Sequence, residues 1–511
     1  MITELSDADR LYPQVPQLED ATNKLSDDVL LVIFRFYLEN AFVRGGRAYD
    51  GWHDLVHVCQ RWRCLVFASP RHLDLRLLCT SRRQVVNLLD IWPALPIVVQ
   101  ERFNAVQLPM WRMTNVIVAL HDQRNRVCKI ELNAIPNALL TWIELKLTRM
   151  EMSFPLLTDL ELRAKNKGVL VLTDFFLGGS APRLLSLKLQ RAPFPSLPKL
   201  LETATDLVTL HLFEIPQSGY ISPVAIVTAL SMLTRLKSLH LDFDLSQPWA
   251  QSHGVESRRQ LPPKRIFLPA LTEFYLWSDR EYMEDMVSKI DTPLLNFARI
   301  AFSGRPDSDT PLLRDFISRT EVFHELHRAK VVISIDAVHL TFSQRPDVKT
   351  LKLRYSCNAR DWQYSSLAHI CNSLFPPLPT LERLEIFTDQ LYWRTNMENA
   401  QWLGLLRPFS SVKDLFLFDD LVCLIAFALK ETTGGRVPEV LPALQNLFLK
   451  ALCPSTPSKP IQEAIEQFVF ARQLSGRPVV LHYWVYRSER DAQRAGEWVV
   501  LHKGFRTLSD G

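Results

Sequence analysis

A short apolar template returns along most of the chain. LPALTEFYL from Leu268, LPTLERLEI from Leu378 and LPALQNLFL from Leu441 match almost residue for residue. A looser form, apolar-x-x-apolar-x-apolar, begins at Val127, Leu157, Leu184, Leu207, Leu236, Leu271, Leu295, Val348, Leu381, Val412 and Leu444. The steps between these starts are 30, 27, 23, 29, 35, 24, 53, 33, 31 and 32 residues. One match in so apolar a chain would carry no weight, but a sustained step with three near-copies marks an internal repeat. Each unit predicts a short strand whose alternate residues point to opposite faces.

Between the strands the pattern is helical. Thr310 followed by Pro311 opens one helix, with Leu312, Leu313, Phe316 and Ile317 on one stripe. Pro460 to Leu474, closed by Gly476, predicts another. The 53-residue step contains VVISIDAVHLTF, Val331 to Phe342, which fits one further strand or an inserted hairpin. PVVLHYWV from Pro478 and the polar, helix-like stretch after it read as a terminal cap.

The first part of the chain has a different texture. Residues 1–24 are polar and contain Pro13 and Pro16, so a flexible leader is expected there. Ser26 is placed to cap a helix with Asp27 and Asp28 in its first turn, where the helix dipole favours acids. Val29, Leu30, Ile33, Phe34, Tyr37 and Leu38 recur at helical spacing. Gly45 and Gly46 break the pattern. A second apolar set follows at Trp52, Leu55, Val56, Val58, Cys59, Trp62, Leu65 and Val66, ended by Pro70.

These N-terminal residues resemble the F-box. Leu25-Ser26 stands where that family has Leu-Pro, Ile33-Phe34 fits its Ile-Phe, and VCQRW from Val58 to Trp62 its Val-Cys-x-x-Trp, followed by Leu65. Ser26 replaces the usual proline, and the loop from Glu39 to Gly51 exceeds that of the shortest members. The segment DLVHVCQRWRCLVFASPRHL is similar in style to the F-box proteins common in mushroom-forming fungi.

The resemblance and the repeat together imply an α/β fold. A short N-terminal three-helix F-box over residues 25–79 precedes a curved leucine-rich-repeat solenoid over 90–476, with a parallel sheet on its concave side, and a C-terminal cap over 477–511. The implied function is that of a substrate-recognition subunit of an SCF-type, cullin-based ubiquitin ligase, holding the Skp adaptor through the F-box and an unknown target protein on the solenoid. A leucine-rich-repeat protein-binding scaffold acting outside a ligase is the alternative.

Carried over from the family, the adaptor-binding residues are Leu25, Leu30, Ile33, Phe34, Val58, Cys59, Trp62 and Leu65. For Ile33, Val58 and Cys59 a purely core role is equally open. Leu25, Leu30 and Phe34 are expected at the interface, because so small a helical unit cannot bury every large apolar residue itself.

The strand residues between template leucines supply a candidate target face. They are Asp159, Glu161 and Arg163, then Ser186, Lys188 and Gln190, then Glu273, Tyr275 and Trp277. Arg383, Glu385 and Phe387 follow, then Asp414, Phe416 and Phe418, then Asn446, Phe448 and Lys450. The face is thus expected to be polar early and aromatic late. Tyr275, Trp277, Phe387, Phe416, Phe418 and Phe448 are the candidate target-binding residues, since exposed aromatics concentrate binding energy. A register one residue out, or flanking segments folded over the rings, would remove that face.

Composition narrows the classes. Of 511 residues 47% are hydrophobic and 22% charged, the balance of a folded protein. A net charge of +4 over that length gives no reason to expect a nucleic-acid or membrane partner. The longest apolar run, Leu421 to Leu429, falls short of the roughly 20 residues of a membrane span, and the opening MITELSDADR does not read as a secretory signal. Eight cysteines without a C-x-x-C pair read as reduced core thiols of a cytoplasmic or nuclear protein.

No metal or cofactor is expected, and no catalytic constellation: H-E-x-x-H, G-x-S-x-G and a phosphate loop are all missing from the sequence. FHELH, Phe323 to His327, reads as a solvated helix edge, and the basic run from Arg258 to Arg265 as an exposed loop.

Overall fold

The structure is a computed structural model. It describes residues 24–43, 51–81, 94–103, 116, 118–135, 154–165, 171–243, 265–303, 310–334, 337–344, 349–356, 380–388, 398–418, 421–432, 440–450, 459–486 and 496–500. The chain is mixed α/β, and most of its strands run parallel. It divides into two compact units, 1–135 with 152–160, and 136–151 with 161–511. The first unit therefore runs well past the expected boundary at residue 79, because strands follow the helices within it.

That first unit opens with three helices: α1 (Asp27–Val43), α2 (Gly51–Val56) and α3 (Gln60–Ala68). Ser26 caps α1 as its sequence position predicts, its hydroxyl accepting from the Val29 amide at 3.4 Å. Arg61 of α3 donates to the Asp27 carboxylate and to the Leu25 carbonyl, both at 2.7 Å. The Cys59 sulfur accepts the Trp62 amide at the start of α3. Trp52 is buried, and its indole N–H donates to the Arg76 carbonyl at 3.0 Å. Strands β1 (Leu77–Cys79), β2 (Ile97–Arg102) and β3 (Val127–Ile135) follow, β1 and β3 each pairing in parallel with β2. Leu78, Val98 and Cys128, one from each strand, pack together.

The second unit is built on the repeat. β4 (Asp159–Ala164) has its first two residues in the first unit and the rest in the second, and it is followed by β5 (Ser186–Gln190), β6 (Thr209–Ile215), β7 (Ser238–Phe243), β8 (Ile266–Phe267), β9 (Glu273–Asp279), β10 (Ile290–Asp291) and β11 (Phe297–Ser303). Then come β12 (Arg328–Ile333), β13 (Ala337–Ser343), β14 (Thr350–Ser356), β15 (Arg383–Thr388), β16 (Asp414–Phe418), β17 (Asn446–Lys450), β18 (Val480–Tyr486) and β19 (Gly496–Val500). Every template start leads into a strand.

The template works through one recurring turn. The amides of Leu184, Leu207, Leu236, Leu271, Leu295, Val412 and Leu444 each bond the carbonyl three residues earlier. The side chains at these positions are buried, and after every one but Leu184 the next two amides reach back to the preceding repeat, as Thr272 and Glu273 do to the Lys237 carbonyl. The template leucines fill the core side of the sheet at 0–3% exposure.

Helices α4 (Leu197–Thr203), α5 (Pro223–Leu230), α6 (Arg280–Ser288), α7 (Pro311–Arg319), α8 (Asn399–Leu406), α9 (Leu421–Glu431) and α10 (Lys459–Leu474) connect the strands, and neighbours pack on each other from α4 to α7 and from α8 to α10. The expected stripe on α7 is buried at Leu313, Phe316 and Ile317. Buried Glu284 of α6 holds its start, accepting from the amides of Leu312 and Leu313 at 2.9 Å each. Helix α10 ends before Gly476, whose φ of +73° suits glycine best.

The irregular step proves to be a hairpin. Strand order from β11 onward is β11-β14-β13-β12-β15. β14 lies parallel to β11, β12 lies parallel to β15, and antiparallel β13 sits between them. At the far end β19 pairs antiparallel with β18, so the expected cap contains two strands; the polar stretch 487–495 lies outside the described residues, as do residues 1–23 and 501–511. The first three residues of FHELH lie in a 3-10 turn, Glu321–Glu325; His324 and Glu325 are exposed as a solvated edge requires, while Phe323 is fully buried and packs near Phe316, a correction to that part of the expectation. Of the basic run only Arg265 is described.

Candidate interaction surfaces

Helix α1 carries two apolar faces. Leu30 and Phe34 point inward at 1% and 0% exposure, and the Phe34 ring meets Trp62 at 4.6 Å. On the other side Val29, Val32, Ile33, Phe36 and Tyr37 stand 41–67% exposed. Their spacing of three and four residues lines them into one stripe. Tyr37 is anchored by a 3.0 Å hydrogen bond to Asp54, which raises its pKa, together with burial. Val58 is also exposed, at 57%.

The candidate adaptor residues thus separate. Ile33 and Val58 are open to solvent, while Leu25, Cys59, Trp62 and Leu65 are partly covered. Leu30 and Phe34 are corrected from surface to core: both are buried, Phe34 against Trp62 of α3. Val32 and Phe36, which the sequence reading passed over, dominate the open stripe. The signal was present: positions 29, 32, 33 and 36 repeat the helical spacing on the side opposite 30 and 34.

In the second unit the open sheet face has the expected register. Glu273, Tyr275 and Trp277 alternate with buried Phe274, Leu276 and Ser278. The rings do not stand free, however. Phe387 stacks on Phe418 at 3.9 Å, Phe416 on Phe448 at 4.0 Å, and Phe448 on His482 at 4.2 Å. In-register parallel strands lie about 4.8 Å apart, so flat rings at matched positions meet face to face. Phe416 is thereby buried at 5% exposure; Tyr275, Trp277, Phe387, Phe418 and Phe448 are half-buried.

The aromatic ladder also starts earlier than expected. Phe213 and His240 approach to 4.1 Å, and His240 stacks on Tyr275 at 4.9 Å. Burial lowers the pKa of both His211 and His240 to about 4, aided by Lys188 for His211, and by His211 and Arg299 for His240. Reading TLHLF and SLHLDF at alternate positions would have found these rings.

No protein-family model matches this chain, and no curated protein matches it.

Cations ride on the rings. The Arg383 guanidinium lies 3.9 Å from the Phe416 centroid, Lys330 Nζ 4.4 Å from Phe387, Lys450 Nζ 4.6 Å from Trp484, and Arg354 5.0 Å from Trp277. Such contacts hold a charge in place, and the Arg383 charge is also paired with the Glu385 carboxylate at 2.7 Å. The result is a wide face of half-buried rings and fixed positive charge, suited to holding a macromolecule.

Among the described residues no group of three metal-ligating side chains converges, and no helix is long and apolar enough to cross a membrane. Cysteines 59, 64, 79, 128 and 423 form no disulfide among the described residues, and Cys357, Cys371 and Cys453 lie outside them. Cys79 is buried and pushed up to about 12, by burial first and the Glu101 carboxylate second. Cys64 departs from the core-thiol expectation, being exposed on α3.

Proposed function

We propose that this chain is the target-selecting subunit of an SCF-type ubiquitin ligase, with an F-box-like helical unit at its start and a leucine-rich-repeat solenoid behind it. The stripe of Val29, Val32, Ile33 and Phe36 on α1 carries the reading. A soluble helix rarely keeps an apolar stripe opposite its core face unless a partner covers it. The stripe lies in the segment whose residues resemble an F-box, so the partner is the Skp adaptor.

The aromatic and cationic face of the second unit then holds the protein to be modified. Its repeat spacing, and strands that run parallel and in chain order on either side of the inserted hairpin, support a solenoid. In this role the chain needs no chemistry of its own.

Reconstitution tests it. The full chain mixed with purified Skp adaptor and cullin scaffold is expected to elute as one stoichiometric complex. A folded chain that elutes apart from the adaptor would favour a binding scaffold outside the ligase.

A further inference from the structure

The inserted hairpin makes an open cavity of about 420 Å³ in the ring-bearing sheet face. Its lining includes Phe297, Arg328, Lys330, Thr341, Lys352 and Glu385, together with Ser343 and Thr350. Its origin is in the residue sizes. Register places Thr341 of β13 between Lys330 of β12 and Lys352 of β14, and Ser343 between Arg328 and Thr350. Short hydroxyl side chains thus occupy the middle, with long cations and a ring around them.

The charge is uneven. Lys352 has Arg299 as its register neighbour on β11. The one carboxylate on the wall, Glu385, is bound to Arg383 at 2.7 Å. Among the described residues Arg299, Arg328, Lys330 and Lys352 have no carboxylate within ion-pair distance. Lys330 rests on Phe387, and Lys352 lies 5.4 Å from the Phe297 centroid. Arg328 Nε is buried and makes no hydrogen bond among the described residues. Unpaired like charges around a concave wall repel one another and focus a positive field into it.

We infer that this cavity binds a phosphate-class dianion through Arg328, Lys330 and Lys352, with the hydroxyls of Thr341 and Ser343 as further donors. A phosphate monoester brings three acceptor oxygens and nearly two negative charges. That matches several cations spread over adjacent strands better than a single carboxylate does, and charge-assisted hydrogen bonds are the strong ones. The group can arrive on a phosphorylated side chain of a bound protein or as a free small phosphate compound; the cavity recognises what the two share. The assignment stands whether or not α1 docks an adaptor.

The test is calorimetric titration of the full chain with three probes: Ala-phosphoserine-Ala, inorganic pyrophosphate, and unphosphorylated Ala-Ser-Ala. Saturable binding of at least one phosphate probe is expected, none of Ala-Ser-Ala, and weakening with added salt. Tighter binding of the phosphopeptide assigns the source to a modified protein, and tighter binding of pyrophosphate to a free compound. The double variant K330Q/K352Q should lose about tenfold or more in affinity. Both lysines lie on the open face, so its melting temperature should stay near that of the parent, and R299Q/R328Q serves as an independent pair. Absence of saturable binding, equal binding of Ala-Ser-Ala, or unchanged affinity in both folded double variants would overturn the assignment.

Discussion

Helix α1 and the open sheet face of the second unit both turn apolar side chains away from a core, and they treat them differently. On α1 Val32 and Phe36 are about two-thirds exposed, although they are near neighbours along the helix. On the sheet Phe416 is 5% exposed, although it is on the face opposite the leucines. The cause is geometric. Side chains on one helix stripe splay from the axis and cover one another only in part. Side chains on in-register strands stand parallel at a spacing close to ring-stacking distance. An outward aromatic on a parallel sheet is therefore partly its own core, whereas an outward apolar stripe on a helix has to be covered by something else.

Several measurements can break or sharpen that contrast. The largest effect concerns reactivity. Cys79 is buried with its thiol pushed up to about 12, so it carries almost no thiolate at pH 8. Cys64 is exposed on α3. Labelling of the native protein at pH 8, followed by peptide mapping, should modify Cys64 roughly a hundredfold faster than Cys79. Comparable rates would mean that the first unit opens readily.

Stability should split neighbouring residues of α1. Phe34→Ala removes a fully buried ring and should cost roughly 3–5 kcal/mol in denaturant unfolding. Phe36→Ala should stay within about 0.5 kcal/mol of the parent. Similar costs would erase the distinction between the two faces. On the sheet, Phe416→Ala should behave like a core substitution. A double-mutant cycle between Phe416 and Phe448 should return a coupling of about 1 kcal/mol, and no coupling would deny the stack its role.

The smallest effect is on pH dependence. His211 and His240 bind a proton less readily when folded, at about 4 against an ordinary 6.5. Above 6.5 both are neutral in either state. As pH falls from 6.5 towards 4 the unfolded chain takes up protons that the folded chain refuses, so stability declines across that window. His240→Phe keeps a ring in the ladder and should flatten part of the decline in melting temperature. An unchanged profile would show that these histidines do not drive it.

Much of this was legible in the sequence. The template located the strands from Val127 to Leu444, and its register put Leu276 and Leu447 inward with Tyr275 and Phe448 outward. Ser26, Pro311 and Gly476 marked helix ends correctly. What period and propensity could not give was coverage. Phe34 and Phe36 differ little in chemistry; the packing of α3 against one side of α1 decides between them. Nor could the spacing foretell that β12 pairs with β15 and β14 with β11. The cavity with its cations follows from that rearrangement, as it needs Lys330 and Lys352 on either side of Thr341.

The central claim is that the outward stripe of α1 is a docking face for the Skp adaptor. Calorimetric titration of purified adaptor into the full chain and into its Phe36→Lys variant tests it most directly. The account predicts one-to-one binding to the parent and a loss of well over tenfold in the variant, with the melting temperature unchanged, because a lysine would be buried there without a partner. Equal affinity for parent and folded variant would contradict it.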